Sequence, residues 1–298
     1  MEYEKQGYLT TYFKIFHLND IPKTKVHAHY HEFDKIILFL SGNVKYNIEG
    51  QTYQLFPYDI IFVPHNSIHY PTIKDNDIYE RIILYINPYF LTEKSYHDGN
   101  LSYCFSYAKE HNSYVMNLNN IEENDIFQRL QALESTSNAT GFAQSLYTNL
   151  KFLEFMIFTN RAILNNNNIN TDHNVSYDEN ILSIINYINQ NLFTNLNIDH
   201  LANQFFLSKY YLMRKFKAET GYSIHQYILN KRLMVAKSRI KSNENLTQIC
   251  FDCGFKDYST FSRAFKQIFK QTPREFKKSL ILPLIIEKNI VTEVNQHE

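Results

Sequence analysis

The sequence LTQICFDCGFKDYSTFSRAFK, residues 246–266, predicts a short helix, a tight turn at Gly254 and a second helix. Apolar residues recur three and four positions apart on both sides of the turn, as a buried helix face requires. Asp257 stands just before the second helix, where its carboxylate can accept hydrogen bonds from free backbone amides. Together these features predict a helix-turn-helix unit.

The same pattern occurs a second time, about 48 residues upstream. Leu201–Leu207 corresponds to Ile249–Phe255 and, after one extra residue in the second copy, Leu212–Lys217 corresponds to Phe261–Lys266. Because an internal repeat marks one supersecondary unit used twice, we expect two helix-turn-helix units in an all-α domain. The predicted helices are Glu179–Gln190, Ile198–Phe205, Ser208–Thr220, Ile224–Ser242, Leu246–Cys253 and Tyr258–Lys270.

The second helix of each unit is predicted to bury one face and to expose a cationic one. The chain has no net charge, yet residues 176–298 contain 17 Lys and Arg against 11 Asp and Glu. Arg214 and Arg263 could be solvated surface charges, but their matching places in a basic repeat favour contact with duplex DNA. The predicted DNA-binding residues are Lys209, Tyr210, Met213, Arg214, Lys217, Tyr258, Ser259, Ser262, Arg263 and Lys266. We expect no catalytic residues.

Two such helices in one chain could enter successive major-groove segments ~34 Å apart, one turn of B-DNA. A monomer would then contact an extended, non-palindromic site. The alternative hypothesis is a metal-dependent enzyme with an accessory helical domain. An enzyme does not require two matched basic helices, so the repeat favours the DNA-binding protein.

The N-terminal part shows a β pattern instead. Residues of about 10–90 alternate apolar and polar, and turn sequences such as Glu49-Gly50 separate short β-branched stretches. We expect antiparallel strands closed into a small barrel, so the fold class is α+β with several domains. The predicted domains are 1–164 for sensing or dimerisation (barrel about 10–90, helices about 121–164), 165–175 as an Asn-rich linker, 176–279 for DNA binding, and 280–298 as a tail of unknown role.

Two helices are predicted between Ile121 and Leu164. One carries an apolar face of Ile126, Leu130 and Leu133, and the other a face of Leu146, Leu150, Leu153 and Ile157. An apolar stripe alone does not reveal what covers it. These helices therefore either cap the barrel or pair with a second copy of the chain.

Residues 246–266, followed by Thr272-Pro273-Arg274-Glu275-Phe276, closely resemble the signature of the AraC/XylS transcription regulators. Residues 201–227 resemble the family's other helix-turn-helix unit, so the resemblance covers about a hundred residues. It implies promoter binding, most often activation through RNA polymerase, with an N-terminal domain that senses a small molecule or dimerises. Cys250 stands where the family usually has alanine, and Phe206 where the first turn often has glycine.

The N-terminal histidines suggest a ligand site. His29 and His31 are two apart on a predicted strand and share a face, and with His69 they resemble the cupin barrel that often precedes this DNA-binding domain. Three imidazoles could bind a metal, but Lys35 stands near the place where metal-binding cupins have glutamate, and an ammonium group disfavours a cation. We therefore expect no metal or cofactor, and a pocket for a sugar-like or anionic effector lined by His29, His31, Lys35, Tyr46 and His69.

The remaining features are less specific. Cys250 and Cys253 form a CxxC without a second pair, so two core thiols are expected rather than half a zinc site. The apolar runs fall short of the ~20 residues of a membrane span, and the first residues lack a signal-peptide pattern. We expect a cytoplasmic protein.

Overall fold

The computed structural model describes residues 9, 11–21, 26–74, 77–118, 124–165, 175–242 and 244–280. The chain forms two compact units. The second begins at Ser183, except that Glu219–Gly221 group with the first. The predicted linker and tail lie almost wholly outside the described residues, as does Ile121.

The described part of the first unit contains nine strands in two antiparallel sheets. Strands β1, β7, β2, β5 and β8 form one sheet in that order, and β6, β3, β4 and β9 form the other. The strands are β1 Phe13–Asp20, β2 Asp34–Ser41, β3 Val44–Ile48, β4 Gln51–Gln54, β5 Asp59–Val63, β6 His69–Ile73, β7 Tyr79–Ile86, β8 Val115–Asn117 and β9 Val175–Ser176.

The β3–β4 hairpin shows how the sequence fixes the register. Glu49 and Gly50 both have positive φ angles, 49° and 82°, as a two-residue turn of type I′ requires. This turn places Ile48 opposite Gln51 and Tyr46 opposite Tyr53. The predicted turn at Glu49-Gly50 is therefore confirmed.

Both sheets contribute to one apolar core. Ile37 of β2 and Tyr46 of β3 belong to the same cluster of buried side chains. β5 is buried along its whole length, and Phe62 on this strand meets the ring of Phe105 from a helix at 6.3 Å between centroids. Because helices cover one side of the first sheet, its central strands are apolar on both faces.

Four helices accompany the sheets in the described part of this unit: α1 Pro88–Glu93, α2 Tyr103–Glu110, α3 Asp125–Ser137 and α4 Gln144–Asn165. Ile126, Leu130 and Leu133 of α3 are buried in the common core. In α4 the buried residues are Phe152, Phe155, Met156, Thr159, Asn160 and Ile163. Of the stripe predicted on α4, Leu146, Leu150 and Ile157 are exposed. Thus α3 caps the sheets, whereas most of the predicted stripe of α4 faces solvent and Leu153 packs against the core.

The second unit is helical. Its helices are α5 Glu179–Gln190, which begins before the division, α6 Ile198–Gln204, α7 Lys209–Thr220, α8 Ile224–Lys241, α9 Leu246–Asp252, α10 Tyr258–Phe269 and a last helix over 273–280. Each predicted helix begins and ends within one residue of these bounds. The caps explain this agreement: Asp257 accepts a hydrogen bond from the Thr260 amide at 2.7 Å, and Ser208 accepts one from the Tyr211 amide at 3.3 Å.

The predicted fold class is confirmed: a β-rich unit with helices precedes a helical unit with two helix-turn-helix motifs. Within the described ranges, no helix has both the length and the apolar character needed to cross a membrane.

Candidate nucleic-acid interface and a histidine cluster

The second helix of each helix-turn-helix unit is anchored by its apolar face. Leu212 and Phe216 of α7 are fully buried, as are Phe261 and Phe265 of α10. Each pair is four residues apart, so it lies on one side of its helix. The remaining face of each helix is turned away from this packing.

The outward face of α7 contains the residues predicted from the sequence. Tyr210 is 72% exposed and Met213 44%, and Lys217 is exposed as well. The Arg214 guanidinium lies 5.9 Å from the centre of the Tyr210 ring, so the two side chains form one surface. Lys209 forms an ion pair with Asp199 of α6.

The outward face of α10 matches the prediction except at one residue. Ser259, Arg263 and Lys266 are exposed and Ser262 is half-buried. Nε of Arg263 lies 3.4 Å from the carbonyl oxygen of Ser259, which leaves the guanidinium ends to solvent.

Tyr258 does not face outward as predicted. Its side chain is half-buried, its ring packs edge-on against Phe261 at 5.8 Å, and its hydroxyl is enclosed without a hydrogen-bond partner among the described residues. The reason is position: Phe261 follows three residues later on the same side of α10, and because helical side chains lean toward the N-terminus, its ring meets that of Tyr258. Its place makes it a support of the helix start.

The tight turn of each unit requires a residue in the left-handed region. Gly254 has φ 78° in the second unit, and Phe206 has φ 54° at the equivalent place in the first. Glycine adopts this conformation without penalty, whereas a side chain costs ~1–2 kcal/mol. The Phe206 side chain is 96% exposed, so packing does not offset the strain.

We expect Phe206→Gly to raise the free energy of unfolding by about 1 kcal/mol, because it removes this strain and no packing contact. Urea denaturation of the full chain measures the change. Phe251→Gly is the matched control, since Phe251 is an exposed phenylalanine inside α9, where glycine costs about 1 kcal/mol. A loss of stability in both variants would contradict the strain at Phe206.

The first unit brings the five predicted ligand residues together. The rings of His29, His31 and His69 lie 4.5–5.1 Å apart between centroids. The Lys35 ammonium nitrogen is 3.4 Å from Nε2 of His69, and the Tyr46 ring stacks on His69 at 6.1 Å. The backbone fixes this arrangement, because His29 and His69 face each other in an isolated antiparallel bridge.

Burial favours the uncharged forms of these groups. It lowers the pKa of His29 to about 4 and that of His31 to about 2, in both cases with a contribution from the Lys35 charge. The pKa of His69 is lowered well below its usual value for the same reasons. Burial, with the nearby Arg81 charge, lowers the pKa of Lys35 to about 7. The histidines are therefore neutral at physiological pH.

The sequence interpretation missed two aromatic neighbours of this cluster. Phe33 stacks on His31 at 4.5 Å with an interplanar angle of 8°, and Tyr85 lies 4.4 Å from Phe33. Tyr85 also lies under the Lys35 ammonium at 5.5 Å. The signal that could have found Tyr85 is its pairing with Lys35 across neighbouring strands, but the strand order was not predictable.

Cys250 and Cys253 are both fully buried among the apolar residues of the second unit and are free thiols. Burial raises the pKa of both, that of Cys253 to about 11. The interpretation of the CxxC as two core thiols is confirmed.

A β unit followed by two helix-turn-helix motifs with exposed arginines is the architecture of a helix-turn-helix DNA-binding regulator. Residues 201–279 match a model described as a helix-turn-helix domain, and residues 16–116 match one described as an AraC-like ligand binding domain. The chain belongs to the AraC family of transcription regulators.

Three relatives show how far the similarity extends. The "Probable transcriptional regulator LumQ" of Photobacterium leiognathi is 25% identical over 88% of this chain and 96% of its own length. The "HTH-type transcriptional activator RhaS" of Mannheimia succiniciproducens is 23% identical over 84% of this chain and 88% of its own length. The "Regulatory protein SoxS" of Escherichia coli is 33% identical over 33% of this chain and 92% of its own length. This chain is a DNA-binding transcription regulator with a ligand-binding type of N-terminal domain.

Proposed function

We propose that the chain activates transcription by placing α7 and α10 in two successive major-groove segments of promoter DNA. The observation that carries this proposal is the matched pair of helices, each anchored by two buried apolar residues and each exposing an arginine. Helix α8, Ile224–Lys241, connects the first helix-turn-helix motif to the second. A single chain would then contact an extended site.

Individual contacts follow from position on each helix. Residues of the first turns reach base edges, and cations at the margins grip phosphates. We assign base contacts to Tyr210, Met213, Arg214, Ser259, Ser262 and Arg263, and phosphate contacts to Lys209, Lys217 and Lys266. Lys209 must exchange its ion pair with Asp199 for a phosphate. Tyr258 keeps α10 in place instead of contacting a base.

Genome-wide mapping of bound sites, followed by footprinting of purified full-length protein, tests this proposal. We expect one chain to protect two adjacent major-groove segments, ~10 base pairs apart from centre to centre. Protection of one segment only would contradict the use of both helices.

Activation implies a contact with RNA polymerase. The name of the RhaS relative contains the word activator, and we extend that role to this chain. A reporter gene placed behind a mapped site should be expressed more strongly when the regulator is present. Reduced expression would indicate a repressor. The proposal assigns the chain no catalytic reaction, and it places its action in the cytoplasm, where promoter DNA lies.

The N-terminal unit is proposed to sense an effector. The match of residues 16–116 to a ligand-binding domain supports this role, and the grouping of His29, His31, Lys35, Tyr46 and His69 offers polar groups for an anionic or hydroxylated molecule. Calorimetry of the full chain with a panel of sugars and organic acids tests the assignment. No heat of binding with any of them would count against it.

We further propose that two chains pair through α4. Its exposed apolar residues include Leu146 at 61%, Leu150 at 55% and Leu164 at 58% exposure. They recur at helical spacing, so they form one stripe opposite the buried face. A second copy of this helix would cover that stripe.

Leu150→Glu is expected to convert a dimer of the 35.5 kDa chain into a monomer, because it places a charge in an apolar contact. Sedimentation measures the mass. Ser145→Glu adds the same charge at an exposed residue of the same helix and should leave the mass unchanged. A wild-type chain that sediments as a monomer at micromolar concentration would refute the pairing.

A further inference from the structure

The histidine cluster has the donor geometry of a metal site. One ring nitrogen from each of His29, His31 and His69 lies within 4.8 Å of the others. Zn²⁺ binds imidazole nitrogen at ~2.0–2.1 Å, so small side-chain rotations bring the three donors to a common ion. The His29 and His31 rings lie 4.9 Å apart between centroids, and His69 stands opposite His29 in an isolated antiparallel bridge.

The hydrogen bonds of two histidines prepare them as ligands. Nδ1 of His29 lies 2.7 Å from the carbonyl oxygen of His27, and Nδ1 of His69 lies 3.0 Å from that of Ser67. A carbonyl oxygen only accepts, so Nδ1 is the protonated nitrogen in both rings and Nε2 carries the lone pair. A backbone or carboxylate partner on the other ring nitrogen is the usual support of a metal-bound histidine.

His31 supplies an independent observation. It is 8% exposed, and both of its ring nitrogens are buried without a hydrogen-bond partner among the described residues. An unpaired buried polar group costs free energy, and native proteins rarely keep one without a reason. Its ring is held in place by stacking on Phe33. A metal ion bound to one nitrogen would satisfy the group.

Lys35 is a cation in contact with the cluster, and its ammonium nitrogen lies 3.4 Å from Nε2 of His69. The sequence interpretation excluded a metal on this account. The lysine nitrogen ends a flexible four-carbon stem and occupies the side of His69 where an ion would bind. Lys35 therefore tunes the site: its charge weakens the binding of a cation without removing the donors.

We propose that His29, His31 and His69 bind one divalent transition-metal ion, of the kind represented by Zn²⁺ or Co²⁺. Imidazole donors suit these ions, and three of them leave further coordination positions open. The proposal concerns the site assigned above to the effector, which would bind at the open coordination positions, and it does not depend on DNA binding. The metal is detected without effector or DNA, and footprinting detects DNA contact without the metal.

The experiment uses the full chain, stripped of metal and then titrated with Zn²⁺ or Co²⁺. We expect one ion per chain, a visible Co²⁺ spectrum without a thiolate band, and a rise of about 5 °C in the unfolding temperature at a hundredfold excess over Kd. His31→Phe should abolish the spectrum and the rise. Because it removes two unpaired nitrogens and keeps a stacked ring, the metal-free variant should unfold at the same temperature as wild type or higher.

Three further variants sharpen the result. His29→Ala should also abolish metal binding. This second variant keeps the test valid if His31→Phe does not fold. His97→Ala, a change at an exposed histidine outside the cluster, should leave binding unchanged. Lys35→Met removes the opposing charge and should tighten binding at least about tenfold. The absence of stoichiometric binding, its survival in His31→Phe and His29→Ala, or no gain in Lys35→Met would each overturn the proposal.

Discussion

Replacing Arg214 and Arg263 together by alanine is expected to abolish measurable specific DNA binding while the protein stays folded. Each arginine is exposed on the outward face of its helix, and one good bidentate contact contributes ~1–3 kcal/mol, or about tenfold to a hundredfold in affinity. The two residues lie on different helix-turn-helix units, so their effects should multiply. The expected loss is therefore about a thousandfold for the double variant.

Fluorescence anisotropy with a duplex from a mapped site measures these affinities, for the single variants and for the double variant. Lys45→Ala is the control, since Lys45 is an exposed cation on β3 of the first unit, and the DNA affinity of this variant should equal that of wild type. Salt titration separates the two kinds of contact, because a lost phosphate contact lowers the salt slope by about 1, whereas a lost base contact mainly lowers specificity. Unchanged affinity in Arg263→Ala would remove α10 from the interface.

The second large effect, a loss of stability, is expected at the turn of the second helix-turn-helix motif. Gly254→Ala should lower the free energy of unfolding by about 3 kcal/mol, combining a left-handed side chain with a backbone collision. A Cβ atom built on Gly254 would lie 2.8 Å from the carbonyl oxygen of Phe193 and 3.0 Å from Cζ of Arg232. Neither neighbour can retreat easily.

Arg232 explains this rigidity. Its guanidinium donates hydrogen bonds to the carbonyl oxygens of Leu192 at 2.8 Å, Thr194 at 2.6 Å and Gly254 itself at 2.8 Å. An added methyl group must break part of this arrangement or shift the chain.

Urea denaturation of the full chain measures the loss. The control is Gly99→Ala, because a Cβ built there meets no atom within 4 Å among the described residues beyond its chain neighbours. The change in its free energy of unfolding should stay within about 0.5 kcal/mol. If Gly254→Ala lowered the free energy of unfolding no more than this control, the backbone of the turn would have to shift without cost, and the expected collision would be refuted.

The helical unit was largely predictable because its signals are local. Asp257 and Ser208 precede α10 and α7 as caps, and the spacing of Leu212 and Phe216 marks the buried face. The internal repeat strengthened the prediction of both helix-turn-helix motifs, since two copies of one sequence pattern indicate the same structure twice. Tyr258 was the exception: its residue type and spacing are compatible with either side of the helix start, and only packing against Phe261 decided between them.

The β unit was predictable in class but not in strand order. Alternation and turn residues predict strands over Lys35–Leu40, Val44–Glu49, Thr52–Leu55, Asp59–Val63 and Arg81–Ile86. In contrast, β1 and β6 carry mixed patterns that do not separate strand from loop. Helix α4 has apolar residues on two faces, and periodicity cannot decide which one covers the core. The structure buries Phe152, Phe155 and Met156 and leaves Leu146 and Leu150 exposed.

By itself the sequence determined the two helix-turn-helix units, their capped helices and the family, because each depends on residues close together along the chain. Only the tertiary structure decided that His69 faces His29, that the His31 ring finds no hydrogen-bond partner in the described part of the chain, and that Lys35 touches His69. These relations join residues up to about 40 positions apart through strand pairing. The free energy of these contacts depends on distances and burial in the folded chain, and no local sequence pattern encodes either.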